Sequence, residues 1–315
     1  MINWRVFDKK QTVLAMQLVD DEMRYVLCQG EKVLKAGALK LSAHAVSAGR
    51  VVSPDALQSA LNPILNGFKG CVAVMLPSDF VHTHLLSLPK GLDAEERDYQ
   101  MMRHITQTLG LQMADVYYDW VALGEAQDPK EEHLLMTVAR QSDVSVYGHV
   151  FNGNWQVRWV CPECFVWSHA FSEQQAKVLV VRVERNQLSV WHVDGSGQAH
   201  YLQRQFSAQM MTQAGFVYQA VLDDGQSDVL LPTGFVVEEI VQTVTQWLGG
   251  EQMRDIRALF GLGSGVDWNL AKFALQQKLG VPVKGVLTER IDSLSDRADV
   301  HKLGGLWHLA TQVQG

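Results

Sequence analysis

Cysteine is scarce in this sequence and is not spaced as a disulfide framework requires. Only four cysteines occur among 315 residues, and they are scattered as Cys28, Cys71, Cys161 and Cys164. Secreted domains that depend on disulfides carry them at much higher density. The cysteine content therefore indicates a reduced compartment and a fold that is held together by its core.

Long apolar runs and basic clusters are also missing. No stretch approaches the roughly 20 apolar residues of a membrane-spanning helix, and the first residues lack the apolar core of a secretion signal. The longest basic run is Lys9-Lys10, and the formal net charge is −7, so the sequence lacks the clustered Lys and Arg that contact nucleic-acid phosphates. We expect a cytoplasmic protein that binds no nucleic acid, and any link to a membrane is expected to come through a partner.

Apolar residues, by contrast, are abundant. They make up 47% of the chain, against 19% for charged residues, which excludes a disordered protein. A chain of 315 residues is longer than one hydrophobic core usually supports. The composition therefore predicts two domains, or one domain made of two similar lobes.

An internal repeat favours the two similar lobes. Segments 13–30 and 178–195 each have the pattern of an apolar strand, a polar turn, a second strand and a turn glycine. The two segments align at a constant offset of 165 residues, so that Val13 corresponds to Val178. A third strand pattern follows each segment. Two such meanders, opening two halves of nearly equal length, indicate a duplicated fold.

Helical and strand patterns alternate after each meander, which predicts an α/β fold. The patterns are a helix at 53–66 and a strand at 71–77 in the first half, and a helix at 235–248, a strand at 256–261 and a helix at 268–279 in the second. We predict a first lobe over 1–170 and a second over 171–315. A small subdomain is predicted as an insertion at about 80–145, and a helical and strand insertion at about 200–255.

The order of these parts resembles the PilM-type proteins of type IV pilus assembly, a group that includes MshI and HofM. The resemblance is strongest in segment 75–120, and the residues that carry it are Leu76-Pro77, Leu88-Pro89, Glu95-Glu96 and Tyr118-Asp119. It implies the actin-like ATPase (ribonuclease H-like) fold, with two duplicated lobes and the small subdomain inserted in the first. Segment 157–171 is similar to the family's link into the second lobe, and Glu163 stands at the position of the acidic residue that is usual there.

The two phosphate hairpins of this superfold each require an Asp-x-Gly sequence at the end of a strand. The carboxylate holds hydrated Mg²⁺, and the glycine lets backbone amides approach phosphate. Here the corresponding residues are Gln17 and Val19 in the first hairpin, and Arg182 and Glu184 in the second. We therefore predict a degenerate site without ATPase activity, for which no cofactor is expected.

Glycines in the second half leave nucleotide binding open. Gly261, Gly263 and Gly265 resemble the family's turn that contacts adenosine, and backbone at such a strand-to-helix turn can approach a phosphate closely. The alternative is that these glycines only permit tight packing of the strand against the helix. ATP with Mg²⁺ thus stays a possible ligand.

Two pairs of residues resemble parts of a metal site, but the sequence completes neither of them. Cys161 and Cys164 have the spacing of half a zinc site, but no second Cys/His pair follows at a suitable distance. His82 and His84 share one face of a predicted strand without a carboxylate nearby. We predict no metal site.

The resemblance implies a scaffold that holds the cytoplasmic N-terminal tail of a PilN-like bitopic inner-membrane protein. The groove for this tail would be lined by Met75, Leu76 and Pro77 and by the strand Phe80–Leu88, with Leu85 and Leu86 as candidates. The pilus assembly ATPase complex is a possible further partner. Two alternatives remain open at this point. One is an active actin-like ATPase, and the other is the cytoplasmic domain of a GspL-type type II secretion protein, which shares the fold.

Overall fold

A computed structural model gives the fold in two units. It describes residues 11–30, 32–125, 130–151, 154–163, 165–167, 177–184, 187–193, 199–207, 210, 230–263, 265–285, 306 and 309–310. The first unit comprises Met1–Glu163 and Leu306–Gly315, and the second comprises Cys164–Gly305. Among the described residues, no helix combines the length and the apolar character needed to cross a membrane.

The first unit contains a five-stranded sheet with helices, and a smaller sheet inserted between them. Its elements are β1 (Thr12–Val19), β2 (Glu22–Gln29), β3 (Lys32–Lys40), β4 (Val46–Ser47), β5 (Arg50–Val51), α1 (Pro54–Leu65), β6 (Gly70–Leu76), β7 (Val81–Pro89), α2 (Ala94–Gln107), β8 (Val116–Glu125), β9 (Glu131–Arg140), α3 (Gln141–Val150) and β10 (Trp155–Pro162). The main sheet has the order β10-β6-β1-β2-β3. Strands β1, β6 and β10 run parallel, so their carboxyl ends lie at one edge of the sheet.

Helix α1 forms where the sequence predicts it. The Ser53 side chain accepts a hydrogen bond from the backbone N–H of Ala56, and proline occupies the first helical position, as is favourable at a helix start. The buried residues Leu57, Leu61 and Ile64 recur at helical spacing, so one face of the helix enters the core of the main sheet.

The segment predicted as an inserted subdomain contains a separate sheet with its own core. Its sheet has the order β7-β9-β8, and α2 begins with a complete capping box between Asp93 and Glu96. Buried residues of α2 and of the sheet form a separate cluster, which includes Leu86, Met101 and Ile105. The sheet ends at Arg140 rather than near residue 145, because α3 already packs into the main core.

The second unit repeats the strand order of the first. Its elements are β11 (Lys177–Glu184), β12 (Gln187–Val193), β13 (Ala199–Gln205), α4 (Thr233–Arg254), β14 (Ile256–Leu262), α5 (Trp268–Leu279) and β15 (Val283–Gly285). The sheet order β13-β12-β11-β14-β15 matches that of the main sheet in the first unit. Strands β1 and β11 begin and end 165 residues apart, so the offset seen in the sequence is that of two equivalent strands.

The described strand and helix of the segment predicted as an insertion, at about 200–255, belong to the sheet and the core of the second unit. Strand β13 is the third strand of the main sheet, and Val236, Ile240 and Val244 of α4 belong to the core of the unit. The predicted lobe boundary also shifts: the first unit ends at Glu163 and regains Leu306–Gly315, of which Leu306, Leu309 and Ala310 are buried. An apolar helix that covers a sheet and a helix of a separate subdomain have the same sequence period, so the pattern alone does not distinguish them.

Candidate functional site

The first phosphate-hairpin position is occupied by a buried amide and a buried carboxylate. Gln17, near the end of β1, is 1% exposed, and so is Glu163, which follows β10. The Gln17 Nε2 donates a hydrogen bond of 3.2 Å to the Glu163 Oε2. The two residues meet because β1 and β10 end at the same edge of the sheet. The carboxylate thus accepts a hydrogen bond from Gln17, the side chain predicted to stand in place of a metal-binding aspartate.

Backbone hydrogen bonds from other parts of the chain hold the turn that follows β1. Asp20 has a φ of 53°, a left-handed conformation that aspartate tolerates in turns. The backbone N–H of Gly49 donates to the Asp20 carbonyl oxygen, and that of Leu41 donates to the Asp21 carbonyl oxygen, each at 2.7 Å. Val19, the residue in place of the family's glycine, is half-buried. The two aspartates therefore serve as turn formers.

The second hairpin carries charges of both signs. Arg182 and Glu184 are 5% and 6% exposed, and the Arg182 Nε lies 3.8 Å from the Glu184 Oε1. The guanidinium also lies over the ring of Trp191 on β12, 5.2 Å from its centre, an arrangement that suits the planar cation. A buried glutamate at this strand end opposes phosphate electrostatically, as the sequence predicts.

Each glycine of the strand-to-helix turn is packed against the chain on the side where a Cβ would project. A Cβ on Gly261 would lie 2.4 Å from the Trp268 ring, one on Gly263 would lie 2.2 Å from the Val183 carbonyl oxygen, and one on Gly265 would lie 2.7 Å from the Glu184 carbonyl oxygen. The geometry supports the packing alternative for all three glycines. A nucleotide contact by their backbone stays a prediction.

Hydrogen bonds fix this turn on the end of β11. The Gly265 N–H donates to the Val183 carbonyl oxygen at 2.9 Å. The Trp268 Nε1 donates to the carbonyl oxygens of Leu262 and Gly263, at 3.1 and 3.2 Å. The glycine turn is therefore packed against both the second hairpin and Trp268. The sequence does not reveal that Trp268 holds this turn, because nothing in the helical pattern of α5 distinguishes its first residue from the others.

The residues predicted to line a partner groove are mostly buried in the chain, and their role in a groove stays a prediction. Met75, Leu76 and Pro77 are buried, and so is Leu86. Leu76 belongs to the core of the main sheet, and Leu86 to that of the inserted subdomain. The side chain of Leu85 lies outside the described residues. Apolar alternation marks a strand, but it does not separate a groove from a core.

Strand β7, which covers most of the strand Phe80–Leu88 that the sequence predicts for the groove, also presents an edge of its sheet. Among the described strands, β7 pairs only with β9 and so forms an edge of its sheet. His82 and Ser87 on this strand are exposed. The polar residues that interrupt the apolar pattern of the strand were the available signal, because edge strands of natural proteins often carry them.

The cysteine and histidine pairs give no metal centre within the described part of the chain, where no group of three or more His, Cys, Asp or Glu side chains is placed to hold a metal ion. Cys161 is buried, while Cys164 lies outside the described residues. Burial raises the pKa of the Cys28 thiol to about 12. The His84 ring lies 5.1 Å from that of His104, and burial and this neighbour lower the pKa of His84.

No protein-family model matches the sequence, and the search of curated proteins likewise gave no match. Among solved structures, the chain is similar to a chain of the PilM-PilN type IV pilus biogenesis complex, with a TM-score of 0.69, 14% identity and 97% of each chain covered.

Two weaker similarities cover nearly the whole chain. One is to a Bacteroides thetaiotaomicron protein with an actin-like ATPase fold and unknown function (TM-score 0.45, 11% identity, 99% of each chain). The other is to the cytoplasmic domain of EpsL, an inner-membrane component of the type II secretion system of Vibrio cholerae (TM-score 0.45, 13% identity, 96% of this chain and 94% of that one). These two scores are too low to carry an argument about function.

The repeated strand order and the similarity to the PilM-PilN structure agree on the architecture. Both five-stranded sheets place two parallel strands beside an antiparallel three-stranded meander, and the similarity extends over 97% of the chain. The fold implied by the sequence resemblance is thus confirmed: the chain has the actin-like ATPase fold.

Proposed function

We propose that this chain is a scaffold of a type IV pilus, or of a related secretion machine, that binds the cytoplasmic N-terminal tail of a PilN-like inner-membrane protein. In this role the chain is cytoplasmic and reaches the membrane through that partner. The observation that carries the proposal is that both predicted phosphate hairpins are filled, which means that side chains of the protein itself, Gln17 with Glu163 and Arg182 with Glu184, occupy the strand ends. The structural similarity to the PilM-PilN complex supports the choice of partner.

The filled hairpins argue against nucleotide hydrolysis as the function. Hydrolysis in this fold relies on carboxylates that hold hydrated Mg²⁺ at the strand ends. Here Gln17 donates its amide hydrogen bond to Glu163, and the second strand end carries the pair of Arg182 and Glu184. A fold that keeps both hairpins without their aspartates has lost the catalytic groups and retained the framework.

The edge of β7 is the surface that best fits an extended tail. The backbone of an edge strand can pair with an added strand, which supplies affinity without a deep pocket. Strand β7 also follows directly on the buried segment Met75–Pro77 through a short 3₁₀ turn, so the tail would bind beside the predicted groove residues and not between their side chains. Cytoplasmic segments next to a membrane span are commonly rich in Lys and Arg, which suits a chain with a net charge of −7.

A matched pair of proline variants tests this surface by calorimetry with a synthetic peptide of the tail. Successive backbone N–H groups of a strand point to opposite edges, so His82→Pro and Thr83→Pro remove one N–H that faces β9 and one that faces outward. We expect the variant that loses the outward N–H to keep near-normal stability and to bind the peptide about tenfold or more weakly. The other variant should mainly lose stability, and a scrambled peptide is the control.

Two outcomes would count against the proposal. If the wild-type chain fails to bind the tail at tens of micromolar, which is about the weakest affinity expected of such a scaffold, the partner is wrong. If the tail binds with unchanged affinity to both proline variants, the partner is right but the edge of β7 is not its site.

A further inference from the structure

A cleft in the first unit lies at the opposite end of the main sheet from the turn of the β1–β2 hairpin and has no part in the proposed function. It is enclosed by the last turns of α1, the end of α3 and the start of β10, and its volume is about 630 Å³. Gly70 and Trp155, the first residues of β6 and β10, pair with each other, so the cleft lies at the amino ends of these strands. The turn of the β1–β2 hairpin and strand β7 follow the carboxyl ends of β1 and β6.

The lining of the cleft is polar but carries no charge. None of the described residues that line it is Asp, Glu, Lys, Arg or His, whereas four are carboxamides. These are Gln58, Asn62, Asn66 and Asn154. Carboxamides both donate and accept hydrogen bonds, and burying a charge against them without a counter-charge is costly. The lining therefore offers hydrogen-bond donors and acceptors to a neutral ligand that carries both.

Three of the carboxamides form a ladder along one side of α1. Gln58, Asn62 and Asn66 stand four residues apart in the sequence, which corresponds to a rise of about 6 Å per step along a helix. In an extended peptide, the backbone groups on one edge repeat every two residues, or about 6.8 Å. The spacing of the ladder is thus close to that of a peptide backbone. Asn62 and Asn66 are exposed, so their side chains are accessible.

The floor of the cleft is apolar. Phe151 and Trp155 line it and are largely buried in the core of the main sheet. A single apolar side chain of a ligand would cover their remaining exposed atoms and gain the usual free energy of apolar burial. We propose that this cleft binds an extended, uncharged peptide segment, whose backbone pairs with the ladder of Gln58, Asn62 and Asn66 and whose apolar side chain rests on Phe151 and Trp155.

Selection of phage-displayed random heptapeptides on the full chain, with counter-selection on the variant Asn62→Ala, tests this proposal. Alanine is favourable on an exposed helix surface, so this variant should fold normally, which a thermal melt verifies. The enriched peptides are then synthesised with capped ends and titrated by calorimetry. The matched control is Gln276→Ala, which removes an exposed carboxamide from α5 in the second unit.

We expect enrichment of uncharged peptides that bind Asn62→Ala about tenfold more weakly than the wild type and bind Gln276→Ala unchanged. A copy of the best peptide with methylated backbone nitrogens should also bind about tenfold more weakly, because methylation removes the donors that pair with the ladder. The proposal is overturned if no enriched peptide depends on Asn62, if all dependent peptides are charged, or if methylation has no effect. It is equally overturned if the neutral sugar maltotriose displaces the peptides, since the ladder would then recognise hydroxyl groups.

Discussion

The two hairpins, β1–β2 in the first unit and β11–β12 in the second, have the same strand pairing but different buried side-chain pairs at their strand ends. In the first, a neutral amide donates to a carboxylate from another strand, Gln17 to Glu163. In the second, Arg182 and Glu184 lie two residues apart on one strand and the cation stacks on Trp191. The comparison teaches that strand order and register survive extensive change at the strand ends, because the sheet is specified by its buried apolar residues.

The chain that follows the neighbouring parallel strand differs as well. After β6 the first unit continues with Pro77 and a 3₁₀ turn, whereas after β14 the second unit continues with glycines that contact the backbone of β11. The second hairpin is therefore packed against a turn that tolerates no side chain. Its response to substitution should be more severe than that of the first hairpin.

The largest effect is expected for Gly263→Ala. The added methyl group would meet the Val183 carbonyl oxygen at 2.2 Å, and Gly263 has a φ of +85°. Overpacking and left-handed strain together should lower the free energy of unfolding by about 4 kcal/mol in urea denaturation. Gly280→Ala is the control, because Gly280 has a φ of +68° with nothing within 4 Å of its added methyl, so only the strain of about 1 kcal/mol applies. Equal losses would show that the turn has room for a side chain.

The next largest effect is expected for Arg182→Met, which keeps most of the side-chain volume and removes the charge. Glu184 would lose its ion-pair partner while still buried, at a cost of about 3 kcal/mol in the free energy of unfolding. Lys177→Met on the same strand is the control, since Lys177 pairs with the exposed Asp255, and little change is expected there. A loss no greater than that of Lys177→Met would mean that the buried pair contributes nothing to stability.

Gln17→Leu should have a smaller effect than Arg182→Met, because it removes a neutral donor and not the counter-charge of a buried carboxylate. Glu163 would lose the hydrogen bond from Gln17 in a buried setting, which costs about 2 kcal/mol. Chemical denaturation of both variants under the same conditions gives the comparison directly. If Gln17→Leu lowers the free energy of unfolding by more than Arg182→Met does, the first hairpin depends more strongly on its buried polar pair than the second.

The smallest effect concerns pH and the inserted subdomain. Burial first, and then the charges of His104 and His82, lower the pKa of His84, whereas an unfolded histidine titrates near its ordinary value of about 6.5. Protonation therefore favours the unfolded state, and stability that is complete above about pH 6.5 falls as the pH decreases below it. His84→Asn should reduce the decrease in melting temperature between pH 7.5 and 5.5 by up to about 3 °C. An unchanged decrease would show that His84 does not contribute.

Much of the fold could be predicted from the sequence because its signals are local. The capping box of Asp93 and Glu96 and the N-cap at Ser53 depend on a few neighbouring residues. The repeat of the two meanders depends on strand patterns that recur 165 residues apart, as β1 and β11 do in the structure. The identities of Gln17, Val19, Arg182 and Glu184 at the ends of these strands followed from that alignment.

What the sequence leaves open are properties that only packing determines. The burial of Leu76 and Leu86 is one of them, because a buried strand residue and a groove residue have the same apolar character. The space around Gly263 depends on where β11 runs, which a glycine-rich sequence does not reveal. The return of Leu306 to the first unit is a long-range contact without a local signal.

The central claim is that the filled hairpins leave a scaffold and not an ATPase. It is tested most directly by calorimetric titration of Mg-ATP into the purified full-length chain. We predict no saturable heat at concentrations up to about 1 mM, which corresponds to a binding free energy weaker than about −4 kcal/mol. A micromolar affinity that is abolished in a folded variant at Gly263 would contradict this account and would make the chain a nucleotide-binding member of its fold.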